Sequence, residues 1–119
     1  MKGLGIGFLL AIAIPTFAAE AGDAAAIQKG KQVYEYWCAT CHGPNLPGTV
    51  ALQTKYSGSK PALLIDRTDL PPAVTKAFVR KGVTIMPFFR KTEISDADLD
   101  ALAAYLARNN SSAAGRLAR

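Results

Sequence analysis

Hydrophobic residues recur at three- and four-residue spacing early in the chain, which is the spacing of one face of an α-helix. The residues on this face are Ile27, Gly30, Val33, Tyr34 and Trp37. Asp23 is a plausible N-cap, so the pattern predicts a helix from Asp23 to about Trp37. A glycine within a helix costs about 1 kcal/mol relative to alanine, so Gly30 indicates either close approach by another backbone or a tolerated surface glycine.

Three further segments carry helical signals. Ser59 is a possible cap for a short helix over residues 61–65, and the proline pair 71–72 opens another helix that Gly82 ends. Ser95 and Asp98 form a capping signature before the last helix. Its apolar stripe is Leu99, Leu102, Ala103 and Leu106, with Tyr105 beside it. No segment shows strand alternation, so the predicted fold class is all-α, with three to four helices.

The connecting segments are long for a domain of this size. The sequence is typical of a loop from Gly43 to Gly58 and again from Val83 to Thr92. Unstructured stretches of ten or more residues are uncommon in a compact domain unless something packs beneath them. A buried cofactor would fill that space and would supplement a core that has few large side chains.

Composition narrows the class of protein. The 119 residues leave room for one domain, and 50% hydrophobic with 19% charged residues argues against disorder. The net charge of +5 comes from scattered basic residues with no motif for reading nucleic acid, so we expect no nucleic-acid partner. Eight basic residues but only two acidic ones lie between Lys55 and Lys91. This predicts a basic rim that steers a partner, with the acids elsewhere, or an ordinary solvated surface.

The N-terminus is typical of an export signal. A positive start precedes an apolar run over residues 3–14 and then small residues, which predicts a signal peptide at 1–19 with cleavage between 18 and 21. The run is too short to span a bilayer, although an uncleaved anchor is the alternative. We therefore expect a periplasmic domain over 23–110, a flexible tail over 111–119 and no membrane span in the mature chain.

The chemistry is concentrated in Cys38, Cys41 and His42, the chain's two cysteines and its one histidine. The Cys-x-x-Cys-His pattern is a signature of c-type haem attachment. One helical turn would place both thiols within reach of the two vinyl groups on a porphyrin edge and bring His42 towards the iron. A thioredoxin-like pair would need a preceding strand, a structural zinc site would need a fourth ligand, and a disulfide would leave His42 unexplained.

Met86 is the one methionine besides the initiator, and it lies in a loop before Pro87. Met86 either packs in the hydrophobic core or is the sixth ligand of the haem iron. We expect it to be the ligand, since the chain has no second histidine. Ligation by His42 and Met86 closes the iron to substrates. The expected function is then a single-electron carrier that is not itself an enzyme. The alternative is a haem sensor or peroxidase with an open or lysine-ligated iron.

These motifs together resemble a class I monohaem cytochrome c: Gly30–Tyr34, Cys38–Gly43, Met86-Pro87 and the capped last helix with Tyr105. The resemblance implies one covalently bound haem c wrapped by helices and long loops. It implies that Gly30 meets Tyr105 where the terminal helices cross, and that the carbonyl of Pro47 or Pro44 orients His42. Among the large apolar residues we expect Leu52, Tyr56 and Phe88 to contact the haem, together with Leu64, Phe78, Val83 and Ile85.

Residues 78–90 are similar to the cytochrome subunits of flavocytochromes that oxidise para-alkylphenols, of the p-cresol methylhydroxylase and eugenol hydroxylase type. That resemblance implies a partner flavoprotein dehydrogenase containing FAD, which would pass electrons to this haem and on to a downstream acceptor. A free soluble electron carrier is the alternative.

Overall fold

The computed structural model describes residues 17–110, and side chains from residue 22 onward. Five α-helices follow in order: α1 Phe17–Trp37, α2 Ala39–His42, α3 Pro47–Tyr56, α4 Pro72–Lys81 and α5 Asp96–Ala107, with a 3-10 turn at Leu64–Asp66 before α4. These residues contain no β-strand, which confirms the all-α prediction. Residues 1–16 of the predicted export signal and the predicted tail at 111–119 lie outside the described residues, so the domain boundaries stay predictions.

The crossing of α1 and α5 forms the centre of the fold. A Cβ added to Gly30 would lie 2.7 Å from Cβ of Tyr105 and would also overlap the backbone carbonyl of Ala101. Gly30 therefore meets both a backbone and the aromatic residue, as the resemblance implied. Tyr34 packs its ring 5.8 Å from that of Tyr105, and Val33 is buried beside them.

The last helix begins as its sequence predicts. The Ser95 side chain accepts a hydrogen bond of 3.0 Å from the backbone N–H of Asp98, which satisfies one of the free donors at the helix start. The apolar stripe of α5 is buried against the rest of the core; it comprises Leu99, Leu102, Ala103, Tyr105 and Leu106. Salt bridges join this helix to α1 through Lys29 and Asp98 and to α4 through Lys76 and Asp100.

Three predictions about local structure are wrong. Asp23 does not cap α1, because the alanine-rich sequence on both sides continues the helix back to Phe17. The predicted loop at 43–58 contains α3, which Pro47 opens at its first turn and Ser57 ends in a left-handed conformation, with φ 47°. The short helix near residue 63 is only a 3-10 turn, and Ser59 donates its hydroxyl to the carbonyl of Tyr56 instead of capping it.

Candidate haem-binding site

The Cys-x-x-Cys-His segment forms one helical turn at the end of α1. The backbone N–H of Cys38 bonds to the carbonyl of Tyr34 at 2.9 Å, and that of His42 bonds to Cys38 at 2.8 Å, so the helical path continues with little interruption. Burial, and then the proximity of Cys41, raises the pKa of the Cys38 thiol to about 12. A reactive redox cysteine needs a lowered pKa, so this environment does not suit thioredoxin chemistry. Residues 17–110 also contain no cluster of three His, Cys, Asp or Glu that could hold a metal ion.

The His42 imidazole is prepared to act as a metal ligand. Burial lowers its pKa, so the ring is held neutral, which is the form that binds iron. Its Nδ1 is buried without a hydrogen-bond partner among the described residues. A metal-ligating histidine usually donates its other ring N–H to an acceptor, but neither Pro44 nor Pro47 accepts a hydrogen bond from Nδ1 here.

Gly48 packs against His42, a contact that the sequence did not reveal. A Cβ at this glycine would lie 3.0 Å from Cε1 and 3.1 Å from Nδ1 of His42, so the start of α3 packs directly on the imidazole. On the other side, the Tyr34 hydroxyl donates a 2.9 Å hydrogen bond to the His42 carbonyl. Burial raises the pKa of Tyr34 to about 12, so this donor keeps its proton. Together α1 and α3 fix the orientation of the histidine.

Met86 is presented by a tight turn that leaves α4. The backbone groups of Val83 and Met86 bond to each other in both directions, at 3.0 and 2.8 Å. Gly82 has φ 68°, and a Cβ there would lie 2.8 Å from the Met86 carbonyl, so only glycine suits this end of the helix. The loop therefore has a defined shape.

Arg80 ties the loop that carries Met86 to α5. Its guanidinium donates to the carbonyl of Phe89 at 3.1 Å, to that of Ile94 at 2.9 Å and to the carboxylate of Asp96 at 2.9 Å. The backbone N–H of Phe89 bonds back to the Val79 carbonyl at 2.8 Å. These contacts hold both ends of the loop against the core.

Cys38, His42 and Met86 converge on one cavity with almost entirely apolar walls. The other residues that line it come from the turn before α4, from α4 and from α5: Leu64, Leu70, Thr75, Phe78, Val79, Leu102 and Leu106. A hydrocarbon wall with one thiol, one neutral imidazole and one thioether would suit a porphyrin, for which Cys38 offers attachment and His42 and Met86 offer ligands to iron. The residues therefore fit haem c, although Leu70, Thr75, Val79, Leu102 and Leu106 were not expected at the site.

The other residues expected near the haem lie in several places. Leu64 and Phe78 line the cavity. Pro47, Leu52 and Tyr56 lie on α3, where the Tyr56 hydroxyl accepts a hydrogen bond from Arg67 instead of facing the cavity. Val83, Ile85 and Phe88 are exposed on the loop, with Ile85 at 80%. Contacts of Pro47, Leu52, Tyr56 and Phe88 with a haem stay predictions.

The basic rim is partly neutralised. Five of its eight members have acidic partners; they are Lys60, Arg67, Lys76, Arg80 and Lys91. The acids do not lie elsewhere, because Asp96 and Asp100 of α5 are among these partners. These five basic residues share three carboxylates, those of Asp69, Asp96 and Asp100. Within residues 17–110, Lys55, Lys81 and Arg90 are in no salt bridge, so the rim keeps a net positive charge.

Comparison with known proteins identifies the family. The family model described as cytochrome C oxidase, cbb3-type, subunit III matches residues 25–106, which is most of the chain. The chain belongs to this family. A cbb3-type cytochrome c oxidase subunit CcoP of Azospirillum brasilense is 37% identical over 90 residues, covering 71% of this chain and 28% of the relative. The CcoP subunit of Azospirillum sp. (strain B510) is 34% identical over 93 residues, covering 73% and 30%. The chain thus spans less than a third of the length of these relatives, and no solved structure matches it.

Membership of the cbb3-type subunit III family confirms a cytochrome c domain with covalent haem c, suited to electron transfer. It does not support the resemblance to phenol-oxidising flavocytochromes. The expected flavoprotein partner is wrong, because the relatives are oxidase subunits. Residues 78–90 comprise the end of α4 and the loop that carries Met86, so they describe the surroundings of a ligand and do not specify a partner. No helix within residues 17–110 combines the length and hydropathy needed to cross a bilayer.

Proposed function

We propose that this chain is a periplasmic single-electron carrier that holds one haem c through thioether bonds to Cys38 and Cys41. In this proposal Nε2 of His42 and Sδ of Met86 would ligate the haem iron. When bound, the haem supplies a one-electron Fe(III)/Fe(II) couple. The observation that carries the proposal is the convergence of Cys38, His42 and Met86 on one apolar cavity.

The residues around the cavity explain why this domain would transfer electrons and would not act on a substrate. Leu102 and Leu106 exclude water from the cavity, and a dry site favours the form of lower charge, which raises the reduction potential. The neutral His42 and the thioether of Met86 would both ligate the iron, which would leave no position open to a substrate. Arg80 holds the loop that carries Met86, which would limit the structural change in this loop when an electron is gained or lost.

The relatives suggest where the electrons go. We propose that this domain delivers them towards a terminal oxidase of the cbb3 type, either as part of a subunit or as a small separate carrier. The exposed apolar side chains of Val83, Ile85 and Phe88 lie on the loop that carries Met86 and form a suitable contact surface for such an acceptor. Co-purification from the native host distinguishes the two arrangements: a subunit stays with the oxidase, whereas a carrier does not.

Spectroscopy of the exported holoprotein tests the ligation. We expect haem to stay attached on a denaturing gel, and the oxidised protein to show the weak long-wavelength sulfur-to-iron band. Met86→Ala should abolish this band, whereas Ile85→Ala, a change at the exposed neighbouring residue, should leave it intact. Ready carbon monoxide binding by the reduced wild type would instead show an open iron and favour a sensor or peroxidase.

A further inference from the structure

Thr75 has a buried hydroxyl without a hydrogen-bond partner among the described residues. The residue is 5% exposed and lines the same cavity as Met86. A helical threonine commonly bonds to the carbonyl three or four residues earlier, which in the second case is that of Pro71. That carbonyl instead accepts the backbone N–H groups of Val74 and Thr75, at 3.0 and 3.4 Å. The hydroxyl is therefore free to donate into the cavity.

An unpaired buried hydroxyl costs about 1–3 kcal/mol, so its presence among hydrocarbon side chains calls for an acceptor. Most of the cavity wall offers none, because leucine, valine and phenylalanine side chains have no polar atoms. Cys38 and His42 are committed to haem attachment and ligation. Of the side chains that line the cavity, Met86 alone then offers an acceptor, because a sulfur with one lone pair on a metal keeps a second that can accept a hydrogen bond.

We propose that Thr75 is a positioning residue for Met86. In the haem-loaded protein its hydroxyl donates a hydrogen bond, directly or through one buried water, to the sulfur of Met86. The proposal rests on the proposed function, because it requires Met86 as an axial ligand. It adds a determinant of the reduction potential that lies on α4, outside the loop that carries the ligand.

The expected direction of the change in reduction potential follows from how strongly the Met86 sulfur donates electrons to the iron. A hydrogen bond to the sulfur withdraws electron density from it, so the sulfur donates less strongly and the reduced state is favoured. Removing the hydroxyl should therefore lower the reduction potential. A weak hydrogen bond corresponds to about a threefold to tenfold change in the reduction equilibrium, where tenfold is about 59 mV for one electron.

Thr75→Val in the holoprotein is the test, since valine keeps the shape and removes only the hydroxyl. We expect its reduction equilibrium constant to fall by about threefold to tenfold. Thr49→Val is the matched control, because Thr49 also has a buried hydroxyl without a partner but lines a different cavity, against α3 and residues 58–66. The control should stay within about twofold of the wild type.

Two further variants keep the test decisive if Thr75→Val fails to accumulate haem. Thr75→Ser keeps the hydroxyl and Thr75→Ala lacks it, so serine should match the wild type while alanine shows the lowered potential. Equal potentials in valine and wild type, or in serine and alanine, would overturn the proposal. The sulfur-to-iron band separates this failure from a failure of the proposed function: a wild type without the band shows that Met86 is not a ligand at all.

Discussion

The crossing of α1 and α5 depends on Gly30, and replacing this residue with alanine tests how close the two helices are. The new Cβ would lie 2.7 Å from Cβ of Tyr105 and would overlap the Ala101 carbonyl, whereas carbon atoms normally meet at about 3.5–4.0 Å. The helices must therefore separate by about 1 Å. Because the obstacle is backbone, no side-chain rotation relieves it.

The expected change in the free energy of unfolding is the sum of two opposing contributions. Overpacking costs about 1–3 kcal/mol, and a clash with backbone belongs at the upper end. The higher helix propensity of alanine returns about 1 kcal/mol. Gly30→Ala should therefore lower the free energy of unfolding by about 2 kcal/mol, which corresponds to about 8–16 °C in Tm for a domain of this size.

Thermal unfolding of the holoprotein, followed by circular dichroism, measures this shift. Gly22→Ala is the matched control, because Gly22 lies in the same helix with nothing within 4 Å of an added Cβ. It should leave Tm unchanged or raise it slightly. A Gly30→Ala variant as stable as the wild type would refute the close crossing.

Three other predictions address the cap, a surface ion pair and the loop clamp. Ser95→Ala should cost about 1 kcal/mol in denaturant unfolding through loss of the helix cap, and an unchanged midpoint would contradict that role. Hydrogen bonds from Arg67 and then Lys60 lower the pKa of Asp69 to about 2, so its contribution is present above the ordinary value of 3.8 and is lost as the pH falls towards 2. Unfolding measured against pH should show Asp69→Asn less stable than wild type near neutrality and equal to it near pH 2. In Arg80→Lys a single ammonium cannot bond to both carbonyls and to Asp96, so the loop that carries Met86 should be held less firmly. Imidazole should then displace Met86 from the oxidised holoprotein with about tenfold higher affinity, which corresponds to about 1.4 kcal/mol. Equal imidazole affinity would show that Arg80 does not hold this loop.

Features that depend on a few neighbouring residues are predictable from the sequence. The spacing of Cys38, Cys41 and His42 and the absence of other soft donors point to the haem and to Met86 without any coordinates. The Ser95 cap and the Gly82 stop are equally local, because a cap satisfies backbone groups within a single turn. The all-α class follows from periodicity alone.

Which residues meet around the cavity depends on how the helices pack in the folded chain. Thr75 and Leu102 lie on different helices, and their shared cavity depends on how α4 packs against α5. The role of Gly48 depends on where α3 lies relative to His42, and proline and glycine near its start concealed that helix in the sequence. The pairing of basic residues with Asp96 and Asp100 is likewise set across helices. Spacing along a chain fixes neighbours within one helix, whereas contacts between helices depend on packing that no local pattern encodes.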